Sequence, residues 1–303
     1  MDALTFLQQK QQSFGIFVKW VTPLSYITKE EAPIGVFDSG FGGLTVAKAL
    51  REELPHENII FFGDSGRCPY GPREPEEVKK FSLQICRWLA SLNCKLIVIA
   101  CNTATAAGLA ACQLEVDVPV IGVIMPGARA AVEATRSRKV GVIATIGTIA
   151  SGAYLKAIRS LDCGVQVLSL PTPGLVQLVE DELIQEYIEA LDVRQARVMD
   201  ELAPMIGGDI DTLVLGCTHY PLLYTEIKSC FTDDVELVNS SEETAREVRE
   251  ILTRRHELYQ EDLPGKLTFV TSGVDTELRN RIASRIMGFE IKDVQFKSFD
   301  EEE

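Results

Sequence analysis

The 303-residue chain is short of the residues that build metal sites, and short of positive charge. It has three histidines, and none of its eight cysteines forms a C-x-x-C pair, so the spacings of a structural zinc site are missing. Basic residues number 30 against 44 acidic ones, a net charge of −14. That balance lacks the basic face with which a general nucleic-acid binder displaces counterions. No apolar run approaches the roughly 20 residues of a membrane-spanning helix. The first residues, MDALTFLQQKQQSFGIFVKW, lack the basic start and long apolar stretch of a secretory signal. The expected location is therefore cytoplasmic, with reduced thiols. What remains is an ordinary globular composition, 46% hydrophobic and 24% charged, with length enough for two cores.

From Ile34 onward, short apolar runs alternate with longer segments of helical spacing. IGVF, NIIFFG, KLIVIA, VPVIGV, KVGVIA, VQVLSL, TLVLG, VELVNS and LTFVTSG read as strands, most of them buried on both faces. The segments between them read as helices, with Ser241, Glu243 and Thr244 as one start signal. This order predicts an α/β fold with two similar doubly wound parallel-sheet domains facing each other across a cleft. Residues 1–33 stand apart as an N-terminal extension expected to be flexible.

In such sheets, ligands bind beyond the carboxyl ends of the strands. The polar residues there are Asp38-Ser39, Asp64-Ser65, Cys101-Asn102-Thr103, Thr145, Thr148 and Cys217-Thr218-His219. Each half of the chain is a series of strand, polar loop and helix ending in a strand followed by cysteine. DSGFGG (38–43) matches neither nucleotide-binding glycine pattern. It reads as a tight strand-to-helix turn or as an anion site for a carboxylate. Taken alone, Cys101 and Cys217 fit core filler, a metal pair, a disulfide or two halves of one catalytic site. Their strand-end positions favour the last. Asn102, Thr103 and Thr218 can hold a polar ligand beside the sulfurs. His219 shares a loop with Cys217 and can protonate a neighbour near neutral pH, and Asp38 can serve the other thiol.

The segments IGVFDSGFGGLTVAKAL, FFGDSGRCPYGPR, VIACNTATA, VIGVIMPGARAA, LVLGCTHYPLL and SSEETAREV, in this order, resemble the glutamate racemases of the cofactor-independent amino-acid racemase family. The resemblance runs from about Pro33 to near the C-terminus. It implies that Cys101 and Cys217 are the catalytic acid/base pair, assisted by Asp38, His219 and Glu180. It also implies substrate contacts from Asp38, Ser39, Tyr70, Gly71, Asn102, Thr103, Thr218 and His219. Neither a metal nor a cofactor is expected. Met125 stands where some relatives carry an acidic residue.

The resemblance further implies D-glutamate supply for peptidoglycan, a homodimer, and a returning C-terminus. The expected domains are 34–123 with 240–303, and 124–239. No membrane or direct nucleic-acid partner is expected. The alternatives are aspartate as substrate, a decarboxylase or isomerase of related fold, or a binding role such as the inhibition of DNA gyrase that some relatives show.

Overall fold

The computed structural model describes residues 28–185, 191–274 and 276–299. Most of the expected N-terminal extension lies outside them. Two parallel sheets carry the fold. The first contains β1 (Ile34–Asp38), β2 (Ile59–Gly63), β3 (Leu96–Ile99), β4 (Val120–Gly122), β9 (Leu267–Thr271) and β10 (Val294–Phe296), in the order β10-β9-β2-β1-β3-β4. The second contains β5 (Lys139–Ala144), β6 (Gln166–Pro171), β7 (Thr212–Gly216) and β8 (Glu236–Asn239), in the order β6-β5-β7-β8. All neighbouring strands run parallel.

The central strands are buried because their apolar runs meet packed helices on both faces. In the first half these helices are α1 (Leu44–Glu53), α2 (Pro75–Ser91) and α3 (Asn102–Glu115). The middle carries α4 (Ile124–Ala134), α5 (Ile146–Ser151), α6 (Ala153–Leu161), α7 (Pro173–Gln185), α8 (Leu191–Leu202) and α9 (Tyr224–Ser229). The chain then returns with α10 (Ser240–Arg255), which packs on α1 and α4, and α11 (Thr276–Met287). Among the described residues no helix is long and apolar enough to cross a membrane.

Strand order reverses between β1 and β3 in one sheet and between β5 and β7 in the other. Such switch points open a crevice at the carboxyl ends of the strands. Ser39 and Cys101 follow the strands at the first, and Thr145 and Cys217 follow those at the second.

Three details differ from the sequence expectation. VQVLSL forms β6, an edge strand whose Gln166, Leu168, Ser169 and Pro171 are exposed, because only β5 pairs with it. The helical segment after Thr145 breaks at Gly152, whose φ of 64° ends α5 and starts α6. The cap of α10 is Asn239, whose side chain accepts from the Ser241 N–H at 3.0 Å.

Candidate active site

The two switch points face one cavity of about 200 Å³. That is below the roughly 300–1,000 Å³ usual for drug-sized ligands and suits a molecule of free amino-acid size. Ser39, Asn102, Thr103, Thr218 and both Cys101 and Cys217 line it. So do Tyr70, Gly71, Glu180 and His219. Of the expected site residues, Asp38 alone does not line the cavity. It lies fully buried behind the wall.

Asp38 also answers the question raised by DSGFGG. Its Oδ2 accepts the N–H groups of Gly40 (3.1 Å) and Gly43 (3.0 Å), and its Oδ1 accepts from the Thr218 hydroxyl at 3.5 Å. The turn's anion is thus the protein's own carboxylate. A Cβ on Gly42 would stand 2.6 Å from the His219 ring and 2.7 Å from Thr218 Oγ1, so only glycine lets this turn press against the 217–219 loop.

Cys101 is the N-cap of α3, and its Sγ accepts from the Ala104 N–H at 3.4 Å. Its own S–H points to Ser39 Oγ, 3.7 Å away. Burial pushes the thiol up to about 12, and the negative charge of Asp38 adds to the rise. The Ala104 N–H and Ser39 act in the opposite sense.

Cys217 follows β7, and its Sγ lies 3.6 Å from His219 Nδ1. The other ring nitrogen of His219 lies 3.4 Å from Glu180 Oε1 on α7. Burial works against charge on His219, yet the bonds to Cys217 and Glu180 carry its pKa well above the usual histidine value. Glu180 is desolvated too, but its bond and charge pairing with His219 bring its carboxyl below the usual range. The two shifts agree on a protonated imidazole held between a sulfur and a carboxylate.

One further thiol at the site carried no role in the sequence reading. Cys68 lines the cavity and donates to Glu180 Oε1 at 3.8 Å, beside the His219 contact. Burial and the charge of Glu180 raise this third thiol far above its ordinary value. Asp64 accepts from Tyr70 OH, from Arg67 Nε (2.7 Å) and from Ser272 Oγ (2.6 Å). The Tyr70 hydroxyl is therefore spent on Asp64 while its residue still walls the cavity. The strand-end threonines join across the cleft: Thr103 Oγ1 lies 2.9 Å from Thr145 and 3.3 Å from Thr148. The Gly147 N–H donates to Gly71 O at 3.1 Å.

No Lys or Arg lines the cavity among the described residues. Carboxylates entering it meet hydroxyl, amide and imidazole donors. Among the described residues no group of three or more His, Cys, Asp or Glu is placed to hold a metal ion, and the cysteines are free thiols. Met125 is 39% exposed and away from the cavity lining.

Comparison with known proteins agrees with this architecture. The profile of the Asp/Glu/Hydantoin racemase family matches residues 44–248. The chain is 46% identical to a glutamate racemase of Bacillus cereus over 262 residues, 86% of this chain and 95% of that one. The crystal structure of a glutamate racemase isoform from Bacillus anthracis superposes with a TM-score of 0.82 at 43% identity, covering 90% of this chain and 98% of that one. That of a glutamate racemase from Francisella tularensis in complex with D-glutamate gives 0.80 at 30% identity, covering 89% and 98%. Two parallel sheets that meet at such a cleft, in a chain with these relatives, define an amino-acid racemase, an enzyme of the isomerase class. The chain belongs to the Asp/Glu/Hydantoin racemase family, among its glutamate racemases.

Proposed function

We propose that the protein interconverts L- and D-glutamate, with Cys101 and Cys217 as the acid/base pair. One observation carries the reading: a central strand of each sheet is followed by a cysteine, and both cysteines line one small cavity. The Francisella tularensis relative was crystallised in complex with D-glutamate, which supports the substrate.

Racemisation breaks the Cα–H bond on one face and forms a new one on the other. The thiolate on one side takes the α-proton, and the electron pair delocalises into the α-carboxylate. The thiol on the other side then gives its proton to the planar carbanion-like centre. Each passage exchanges the protonation of the two sulfurs, which return to their starting state through solvent.

The surroundings make the sulfurs unequal. Burial and Asp38 favour the thiol at Cys101, while its helix N-terminus stabilises negative charge as it develops. A protonated His219, backed by Glu180, balances charge at Cys217. Ser39, Asn102, Thr103, Thr218, His219 and the Tyr70-Gly71 wall supply the substrate contacts, and Asp38 acts from behind that wall. No step in this scheme uses a cofactor.

The domain division that supports this site is 34–123 with 240–303, and 124–239. In its favour, β9 and β10 share a sheet with β1 to β4, and α10 packs on α1. A cytoplasmic homodimer supplying D-glutamate for peptidoglycan completes the reading, on the strength of the family resemblance.

The test is circular dichroism of the purified protein with L-glutamate, D-glutamate and L-aspartate, without added cofactor. Loss of optical rotation with both glutamate enantiomers is expected. Faster turnover of aspartate would replace the substrate, and loss of activity on exhaustive chelation or on treatment with a carbonyl reagent would overturn the cofactor-free scheme.

A further inference from the structure

Asn102 lines the cavity and is 3% exposed, yet its Nδ2 is buried without a hydrogen-bond partner. Buried donors are nearly always satisfied, and an unpaired one is costly. Its other side-chain atom is engaged: Oδ1 accepts from the Tyr154 hydroxyl at 2.8 Å. Tyr154 sits on α6, 52 residues along the chain, and is 2% exposed.

We infer that Tyr154 is a positioning residue, which fixes the orientation of the Asn102 amide so that its NH₂ group meets the substrate's carboxylate. This rests on the reading of the cavity as a racemase site.

The Tyr154 hydroxyl gives its proton to this bond. An amide oxygen accepts and never donates, so Oδ1 must face Tyr154 and Nδ2 must face away from it. A Cβ on Gly127 would stand 3.3 Å from the Tyr154 hydroxyl and 3.5 Å from its ring, so glycine on α4 leaves the ring end its place. Burial also holds the Tyr154 phenol in its protonated form, the form that donates.

The Tyr154–Asn102 bond therefore connects the middle of the sequence to the residue beside Cys101. Removing the tyrosine hydroxyl makes the two amide orientations comparable. In one of them a carbonyl oxygen faces a carboxylate. Binding suffers, while the proton transfers between the sulfurs are not touched directly, so the loss falls on KM more than on kcat.

The test is a double-mutant cycle of wild type, Y154F, N102A and Y154F/N102A, with glutamate racemised in both directions. Y154F is expected to raise KM about tenfold, about 1.4 kcal/mol, with kcat changed by less than about threefold. In the N102A background the same change is expected to cost nothing further. A wild-type KM for Y154F, or an equal further loss in the N102A background, overturns the inference. A second readout needs no turnover. The isotope-labelled Asn102 side-chain amide, assigned by its disappearance in N102A, gives one sharp NMR pair in wild type and is expected to broaden or double in Y154F. If the wild type fails to racemise glutamate, the functional reading fails while this signal still decides the role of Tyr154. An unchanged amide pair in Y154F removes that role.

Discussion

Glu180→Gln keeps the shape of the side chain and removes the charge that faces His219. The two groups stand 3.4 Å apart, with side-chain exposures of 26% for Glu180 and 7% for His219. At an effective dielectric of about 20, unit charges at that separation attract by about 5 kcal/mol before desolvation is counted. A hydrogen bond between charged groups retains about 1.5–3 kcal/mol. The smaller range applies, because water reaches the carboxylate. Its loss lowers the His219 pKa.

The linkage has a definite sign. His219 is raised on folding, so its contribution to stability is full below its unfolded pKa of about 6.5 and is lost as pH rises through the folded value. Glu180 is lowered on folding, so its contribution is present above its unfolded value of 4.5 and is lost as pH falls through the folded one. The penalty of Glu180→Gln is therefore greatest between those two unfolded values and shrinks in alkali. Racemisation rates in both directions, measured from acid to alkaline pH, should show the alkaline limb moved to lower pH. Melting temperatures should differ from wild type more at about pH 6 than at about pH 9. An alkaline limb that stays in place, or an equal loss of stability at both values, would refute the assignment of His219 as a charged partner held by Glu180.

Gly42→Ala places a Cβ 2.6 Å from the His219 ring. Displacing that ring should lower kcat by about 100-fold, and near-wild-type kcat would show that the loop yields cheaply. Cys68→Ala removes the thiol that shares Glu180 Oε1 with His219. A fall of about two- to fivefold in kcat is expected, with Cys68→Ser restoring most of it. Lys95 Nζ lies 2.5 Å from Glu57 Oε2 with both side chains 2% exposed, far from the cleft. Lys95→Met should destabilise by about 3–5 kcal/mol in urea unfolding by stranding a buried carboxylate, and Glu57→Gln in the same chain should recover part of it.

Much of the site was legible in the sequence for a topological reason. Parallel strands deliver whatever follows their carboxyl ends to one edge, so Ser39, Cys101, Thr145 and Cys217 could be collected by reading past each apolar run. His219 came with them because it shares the loop of Cys217. Glu180 carries no such signal. It lies inside a helix and reaches His219 by tertiary packing, so only family resemblance pointed to it. Tyr154 was invisible for the same reason: its bond to Asn102 joins residues from different segments, and nothing local to YLKAI marks it. Asp38 was identified as a site residue, but its retreat behind the wall depends on the N–H groups of Gly40 and Gly43, which a glycine pattern does not reveal. The exposure of β6 depends on its place at a sheet edge, and VQVLSL is apolar enough to pass for a central strand.

The central claim is that two thiols act from opposite faces of the α-carbon. The direct test is racemisation of each glutamate enantiomer in deuterated water, with α-deuterium followed by mass spectrometry in the first turnovers. Two bases predict solvent deuterium in the newly formed enantiomer while the unreacted starting enantiomer stays protonated. Deuterium entering the unreacted substrate in step with product would contradict the two-thiol account and point to a single shared base.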